Sequence, residues 1–192
     1  MEKKEHNSHV RGNRTVSLVL CGMFTVLIAI CSYITIPILI PFTMQTFAIF
    51  LLLCVMGGKR GTVCIVIYLL LGALGIPVFH GMTGGIGILF GNTGGYLLGF
   101  LFIGLIYLLM TACFKDTMAL KCIALLIGLI ACYAFGTIWF ALFYLEESGI
   151  SSVIGILLSC VVPFILPDLI KLALALSICK IVTKAIPDIT KE

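Results

Sequence analysis

At 192 residues the chain is 61% hydrophobic and 10% charged, with a formal net charge of +4 and a mean hydropathy of +1.26. Soluble domains carry about 25% charged residues, so this composition excludes a soluble globular domain and points to one membrane-embedded domain. The nine cysteines (Cys21, Cys31, Cys54, Cys64, Cys113, Cys122, Cys132, Cys160 and Cys179) are odd in number and form no C-x-x-C. Buried small hydrophobes fit that distribution better than disulfides or metal ligands.

The opening residues, MEKKEHNSHVRGNRT, are polar and mixed in charge, too polar a prelude for a cleavable signal. They read as a mobile cytoplasmic tail over 1–15. A membrane helix needs about 20 largely apolar residues. Segments of that kind follow at Val16–Ile36, Gln45–Met56, Thr62–Phe79, Gly94–Phe114, Cys122–Leu145 and Val153–Val182, the second of them short. The expectation is an all-α integral membrane protein: a six-helix bundle over 16–184, then a cytoplasmic tail over 185–192.

Cytoplasmic loops are enriched in Lys and Arg. Lys3, Lys4, Arg11 and Arg14 precede the first helix, Lys59 and Arg60 lie in the turn GGKRG, Lys115 and Lys121 flank the next such turn, and Lys180, Lys184 and Lys191 end the chain. With six helices, eleven of the twelve basic residues fall on one side, and the opposite loops hold only Glu146 and Glu147. Both termini are therefore expected in the cytoplasm, with ordered loops outside.

Two outward loops stand out. Residues 37–46, PILIPFTMQT, combine two prolines, which cannot continue the first helix, with Thr43, Gln45 and Thr46. Between Gly72 and Gly95 nine glycines crowd one segment, a composition that disfavours a helix by about 1 kcal/mol per interior glycine. Unpaired backbone cannot face hydrocarbon, so this segment reads as a re-entrant or capping loop, or as a glycine-rich hairpin with no ligand. His80 stands alone beside it and reads as a loop residue rather than a base or ligand.

The twelfth basic residue, Lys171, lies inside the last helix, three residues after Asp168, the one acid within an apolar segment. A charge near the bilayer centre costs about 2.5–3.5 kcal/mol on insertion scales and is a functional candidate by default. The i,i+3 spacing lets the two pair; mutual neutralisation against the other helices is the plainer alternative. Pro163 and Pro167 are expected to kink or restart this helix, with Pro167 in its first position and Asp168 at the positive end. No G-x-x-x-x-G-K-[ST], dinucleotide loop or G-x-S-x-G is present. Catalytic residues, a metal and a nucleic-acid partner are not expected.

Three stretches in chain order resemble the BioY family, the biotin-specific substrate-binding (S) subunits of energy-coupling-factor (ECF) transporters. They are the Pro-rich loop through Gln45 and Thr46; YLLLGALGIPVF with the glycine loop and G-N-T-G-G-Y-L-L-G-F; and PFILPDLIK in the last helix. Asn92 stands where the family more often has Pro, and Pro167 where it often has Gly. The resemblance implies high-affinity biotin uptake at the prokaryotic plasma membrane, with a membrane coupling subunit and two ATPases as partners and no cofactor. A sister subunit for thiamine or riboflavin is the alternative.

Biotin has a ureido ring, an apolar thiophane and a valerate carboxylate. The resemblance places Asp168 at the ureido group and Lys171 as electrostatic anchor, leaving open which meets which end. Thr43, Gln45, Asn92 and Thr93 serve as further polar contacts, and Phe79 and Tyr96 pack the rings. Gly84 and Gly85, with Gly94 and Gly95, would form a lid over the ligand. Docking on the coupling subunit through small residues spaced four apart falls on Gly22-x-x-x-Val26 or Cys21-x-x-x-Thr25.

Overall fold

The structure is a computed structural model that describes residues 2–36, 41–144, 155, 156, 158 and 161–185, with the backbone alone for 2–14 and 144. Pro37, Glu146, Glu147, Ser159, Cys160 and Lys191 lie outside the described residues. Helix α1 spans Glu2–Tyr33, so the polar opening is helical where a mobile tail was expected. Those residues hold no proline, and extending an established helix avoids the unfavourable nucleation step. Its apolar part is Thr15–Tyr33.

After α1 the chain turns extended. Thr35–Ile36 (β1) pairs antiparallel with Phe42–Thr43 (β2), in the register Thr35↔Thr43 and Ile36↔Phe42. Ile36 precedes Pro37, and a residue before proline is pushed from the helical region towards β. Helix α2 spans Gln45–Ala73 and is interrupted at Gly57, where φ is 78° and ψ 172°, a conformation that favours glycine.

That interruption is a reversal. At 1.5 Å per residue, a straight helix would hold Gln45 and Tyr68 about 34 Å apart. Instead Gln45 Nε2 donates to the Tyr68 hydroxyl at 2.6 Å. A Cβ placed on Gly61 would likewise lie 3.3 Å from the Leu53 Cα. α2 is thus a helical hairpin, and its two arms correspond to the two helices expected from sequence. Its apolar window is 72% buried, against 28–33% in the other four spanning candidates, which makes it the centre of the bundle. α2 packs on α1, on α4 (Gly94–Cys113) and on α6 (Val162–Ala185), while α5 (Met118–Tyr144) pairs mainly with α4. Counted by length and apolarity, with the hairpin as one, five described helices can cross a membrane, rather than the six expected.

The glycine-rich segment carries a 3-10 turn, His80–Met82, and a short helix α3, Ile86–Leu89. It folds back over the end of α2, where Gly85 N–H donates to Gly72 O at 2.7 Å. Ser32 and Tyr68 hydroxyls hold the Val78 carbonyl at 2.8 and 2.9 Å, Tyr33 donates to the Pro77 carbonyl, and Trp139 Nε1 donates to Gly91 O at 3.1 Å. At the opposite end, the Gly57–Gly58 reversal borders the same hollow as Thr111, Asp116 and Lys121. The basic turns therefore gather at the end away from the glycine segment.

Two further expectations change. Cys21 and Cys64 are joined as a disulfide between α1 and α2, because the helix packing brings together cysteines that sequence spacing keeps 43 residues apart. α6 runs through Pro167 without restarting, so Asp168 sits in its second turn and not at a helix start. Five residues of helix already precede Pro167, so the missing N–H removes one backbone bond without ending the helix.

Close packing of α4 and α5 rests on glycines. A Cβ on Gly128 would lie 2.9 Å from the Ile103 Cα, and one on Gly99 2.6 Å from the Cys132 sulfur. On α1, by contrast, a Cβ on Gly22 meets nothing within 4 Å. Gly128→Leu should therefore destabilise the bundle by about 1–3 kcal/mol through overpacking, read as a lower thermal-unfolding midpoint in detergent. Gly22→Leu should leave that midpoint nearly unchanged.

Candidate functional site

The β-ribbon, the 3-10 turn, the near ends of α2, α4 and α6 and the middle of α5 surround a cavity of about 70 Å³. Asp168 and Lys171 form its floor, 2% and 4% exposed. Lys171 Nζ lies 2.7 Å from Asp168 Oδ1 and also donates to Thr43 O at 2.7 Å and Thr46 Oγ1 at 3.1 Å. A lysine ammonium has three protons, and three acceptors hold them. Its charge also rests 3.9 Å from the centre of the Phe42 ring, a cation–π contact.

Asp168 is held as fully. Thr46 Oγ1 donates to Oδ1 at 2.8 Å, and the Tyr133 hydroxyl donates to Oδ2 at 2.5 Å. Oδ2 retains acceptor capacity, since a carboxylate oxygen offers about two lone-pair sites. Thr46 links the pair by accepting from Lys171 and donating to Asp168. Among the described residues, every buried side-chain nitrogen and oxygen is bonded, as a low-dielectric interior demands.

Of the residues singled out from sequence, the structure brings Thr43, Gln45, Thr93, Tyr96, Asp168 and Lys171 to this cavity. Thr43 Oγ1 donates to Gln45 Oε1 at 2.8 Å, and Tyr96 OH lies 3.3 Å from Thr137 Oγ1. The others are elsewhere. Phe79 is fully buried in the core, edge-on to Tyr68 at 5.7 Å and over Gly72, where a Cβ would strike its ring. Asn92 is exposed and borders no part of the cavity.

Gly84, where a Cβ would strike the Ile76 carbonyl, and Gly85, with φ 107°, shape the return of the loop. Gly94 and Gly95 are buried in the first turn of α4, against the Leu89 carbonyl and Trp139, and admit close packing rather than covering the cavity. On α1, Thr25 is buried, with its hydroxyl donating to Cys21 O at 2.8 Å, and Cys21 is tied to Cys64. Gly22 and Val26 face outward, so that pair is the unpartnered one.

Thr46, Tyr133 and His80 also line the cavity, although none is among the residues that the sequence assigns to the ligand. Thr46 was legible as one of a polar cluster. Tyr133 was one aromatic among many, and its role depends on how α5 packs on α6.

An ion pair facing a cavity at one end of an apolar helical bundle defines the class: a polytopic membrane protein with a candidate site at that end. The BioY family profile matches residues 2–188. The chain is 39% identical over 159 residues to the biotin transporter BioY of Thermotoga maritima, covering 82% of this chain and 90% of the relative. It is 36% identical over 168 residues to the probable biotin transporter BioY of Pyrococcus horikoshii, covering 87% and 94%. Its fold is similar to the crystal structure of the S-component for biotin from an ECF-type ABC transporter, with TM-score 0.77, 27% identity, and coverage of 90% and 93%. The chain belongs to the BioY family and is a multi-pass membrane protein.

The pair should behave as a unit. Asp168→Asn or Lys171→Met alone leaves an uncompensated buried charge and should lower stability by about 3–5 kcal/mol. The double substitution should recover most of that loss in detergent melting curves; equal losses in all three variants would contradict the coupling.

Proposed function

We propose that this chain is the substrate-binding subunit of an ECF transporter and that it takes up biotin, releasing it to the cytoplasm together with a membrane coupling subunit and two ATPases. The observation that carries this reading is the saturated Asp168–Lys171 network facing a cavity in a member of the BioY family. A ureido ring offers N–H donors, and Asp168 Oδ2 has capacity to accept one beside Tyr133. Lys171 orients Asp168 through its 2.7 Å contact without presenting a free N–H. Tyr96, Leu97, Phe100 and Phe164 wall the cavity for an apolar ring, and Thr43, Gln45 and Thr93 add polar edges.

Pockets for drug-sized ligands run about 300–1,000 Å³, so a cavity of about 70 Å³ must widen as biotin seats. The segment containing Gly84 and Gly85 is the part proposed to move as a lid. Counting both arms of the α2 hairpin gives six crossings, with both termini and the basic turns in the cytoplasm and the cavity outside. The gathering of Gly58 with Lys121 at the far end supports that orientation. The membrane is the prokaryotic plasma membrane. Docking on the coupling subunit is assigned to the outward Gly22–Val26 face. ATP hydrolysis belongs to the partners, and the chain itself needs no catalytic residue, metal or cofactor.

The test is binding of labelled biotin to the purified chain in detergent. Wild type should bind tightly, and Asp168→Ala and Lys171→Ala should each weaken binding by about 100-fold or more. A folded wild-type chain that binds thiamine or riboflavin instead would overturn the substrate and keep the architecture.

A further inference from the structure

The network at the cavity floor leaves a ligand carboxylate without a counter-ion. Of the described lining residues, Lys171 and His80 are the two basic ones, and the three Lys171 protons are already held by Thr43, Thr46 and Asp168. His80 differs in every respect. It sits on the 3-10 turn at the rim, half-buried, and its ring has no bonded partner among the described residues.

Its backbone is fixed: Thr83 Oγ1 donates to His80 O at 2.8 Å, Phe79 N–H donates to Thr83 O at 3.0 Å, and Gly81 and Met82 take φ of 67° and 56°. An imidazole held there is a preorganised donor at the cavity mouth, while the acceptor capacity of Asp168 lies at its floor.

Resting on the biotin reading above, we propose that His80 is the specificity residue for the ligand's carboxylate, pairing with it as an imidazolium at the cavity mouth while the ureido ring descends to Asp168. Among the described residues, the ionisable groups at this end of the elements around it are Cys31 and Tyr33 of α1, Tyr68 of α2, Tyr96 of α4, Cys132 and Tyr133 of α5, and Asp168 and Lys171 of α6. Of these, Asp168 and Lys171 are paired with each other at 2.7 Å.

Burial holds the His80 pKa below the usual 6.5, and no charged neighbour contributes to that shift. A bound carboxylate favours the imidazolium and raises the pKa again. Binding therefore takes up a proton. Affinity is highest below the free-state pKa, where the ring is charged before and after binding. It falls as pH rises from there to the bound-state pKa, then levels off with the ring neutral in both states.

The experiment compares biotin with its uncharged amide, biotinamide, between pH 5 and 8.5, in wild type, His80→Asn and His80→Lys, measured by calorimetry in detergent. Wild type should prefer biotin to biotinamide by roughly tenfold at the acid end and lose that preference as pH rises, with biotinamide affinity flat. His80→Asn should bind both ligands equally at every pH, with biotinamide affinity as in wild type. His80→Lys should keep the preference and remove its pH dependence over this range.

A full carboxylate preference with an unchanged pH slope in His80→Asn would overturn the proposal and return the carboxylate to Lys171. Binding of neither ligand by folded wild type at any pH would instead overturn the biotin reading on which it rests. The two failures are thus distinguishable.

Discussion

Opposite charges three residues apart on one helix can persist in an apolar bundle only when their protons and lone pairs find partners. Here Lys171 gives one proton each to Asp168, Thr43 and Thr46, while Asp168 accepts from Lys171, Thr46 and Tyr133. The partners come from three separate stretches: the ribbon with the start of α2, the middle of α5, and α6. The α2 hairpin is what makes this possible. By reversing at Gly57 it sets Gln45 beside Tyr68 and leaves Thr46 against α6. The polar floor and the central hairpin are therefore one construction.

The same arrangement separates two jobs that sequence reasoning had assigned to a single pair. A saturated lysine orients a neighbouring carboxylate, but it has no proton left for a ligand. Recognition of a second, anionic group then falls to the rim, where backbone is fixed and water is close. Burial grades the two ends: the floor is nearly sealed, whereas His80 is half-buried. A molecule with a ureido group at one end and a carboxylate at the other matches that gradient.

The loop above the cavity is tied down in ways that its glycines alone do not suggest. Ser32, Tyr33, Tyr68 and Trp139 each donate to a carbonyl within it. These bonds pin the segment before His80 and the segment after α3. Between them, Gly85 N–H is tied to Gly72 O at 2.7 Å, so the loop is anchored at three places along its length.

By itself the sequence determined the class of molecule, because hydropathy over about 20 residues and the placement of basic turns are local properties. It marked Asp168 and Lys171, since ionisable residues in an apolar run are conspicuous without any structure, and it marked Thr43, Gln45, Thr93 and Tyr96 through their motifs. Tertiary structure decided what local pattern cannot encode. Phe79 belongs to the core because Gly72 leaves room for its ring. Cys21 and Cys64 meet only because α1 packs on α2. Tyr133 reaches Asp168 across 35 residues of chain, and His80 becomes a rim residue only once the glycine segment has folded back over α2. Each of these depends on which helix faces which, and that is set by packing between segments rather than within them.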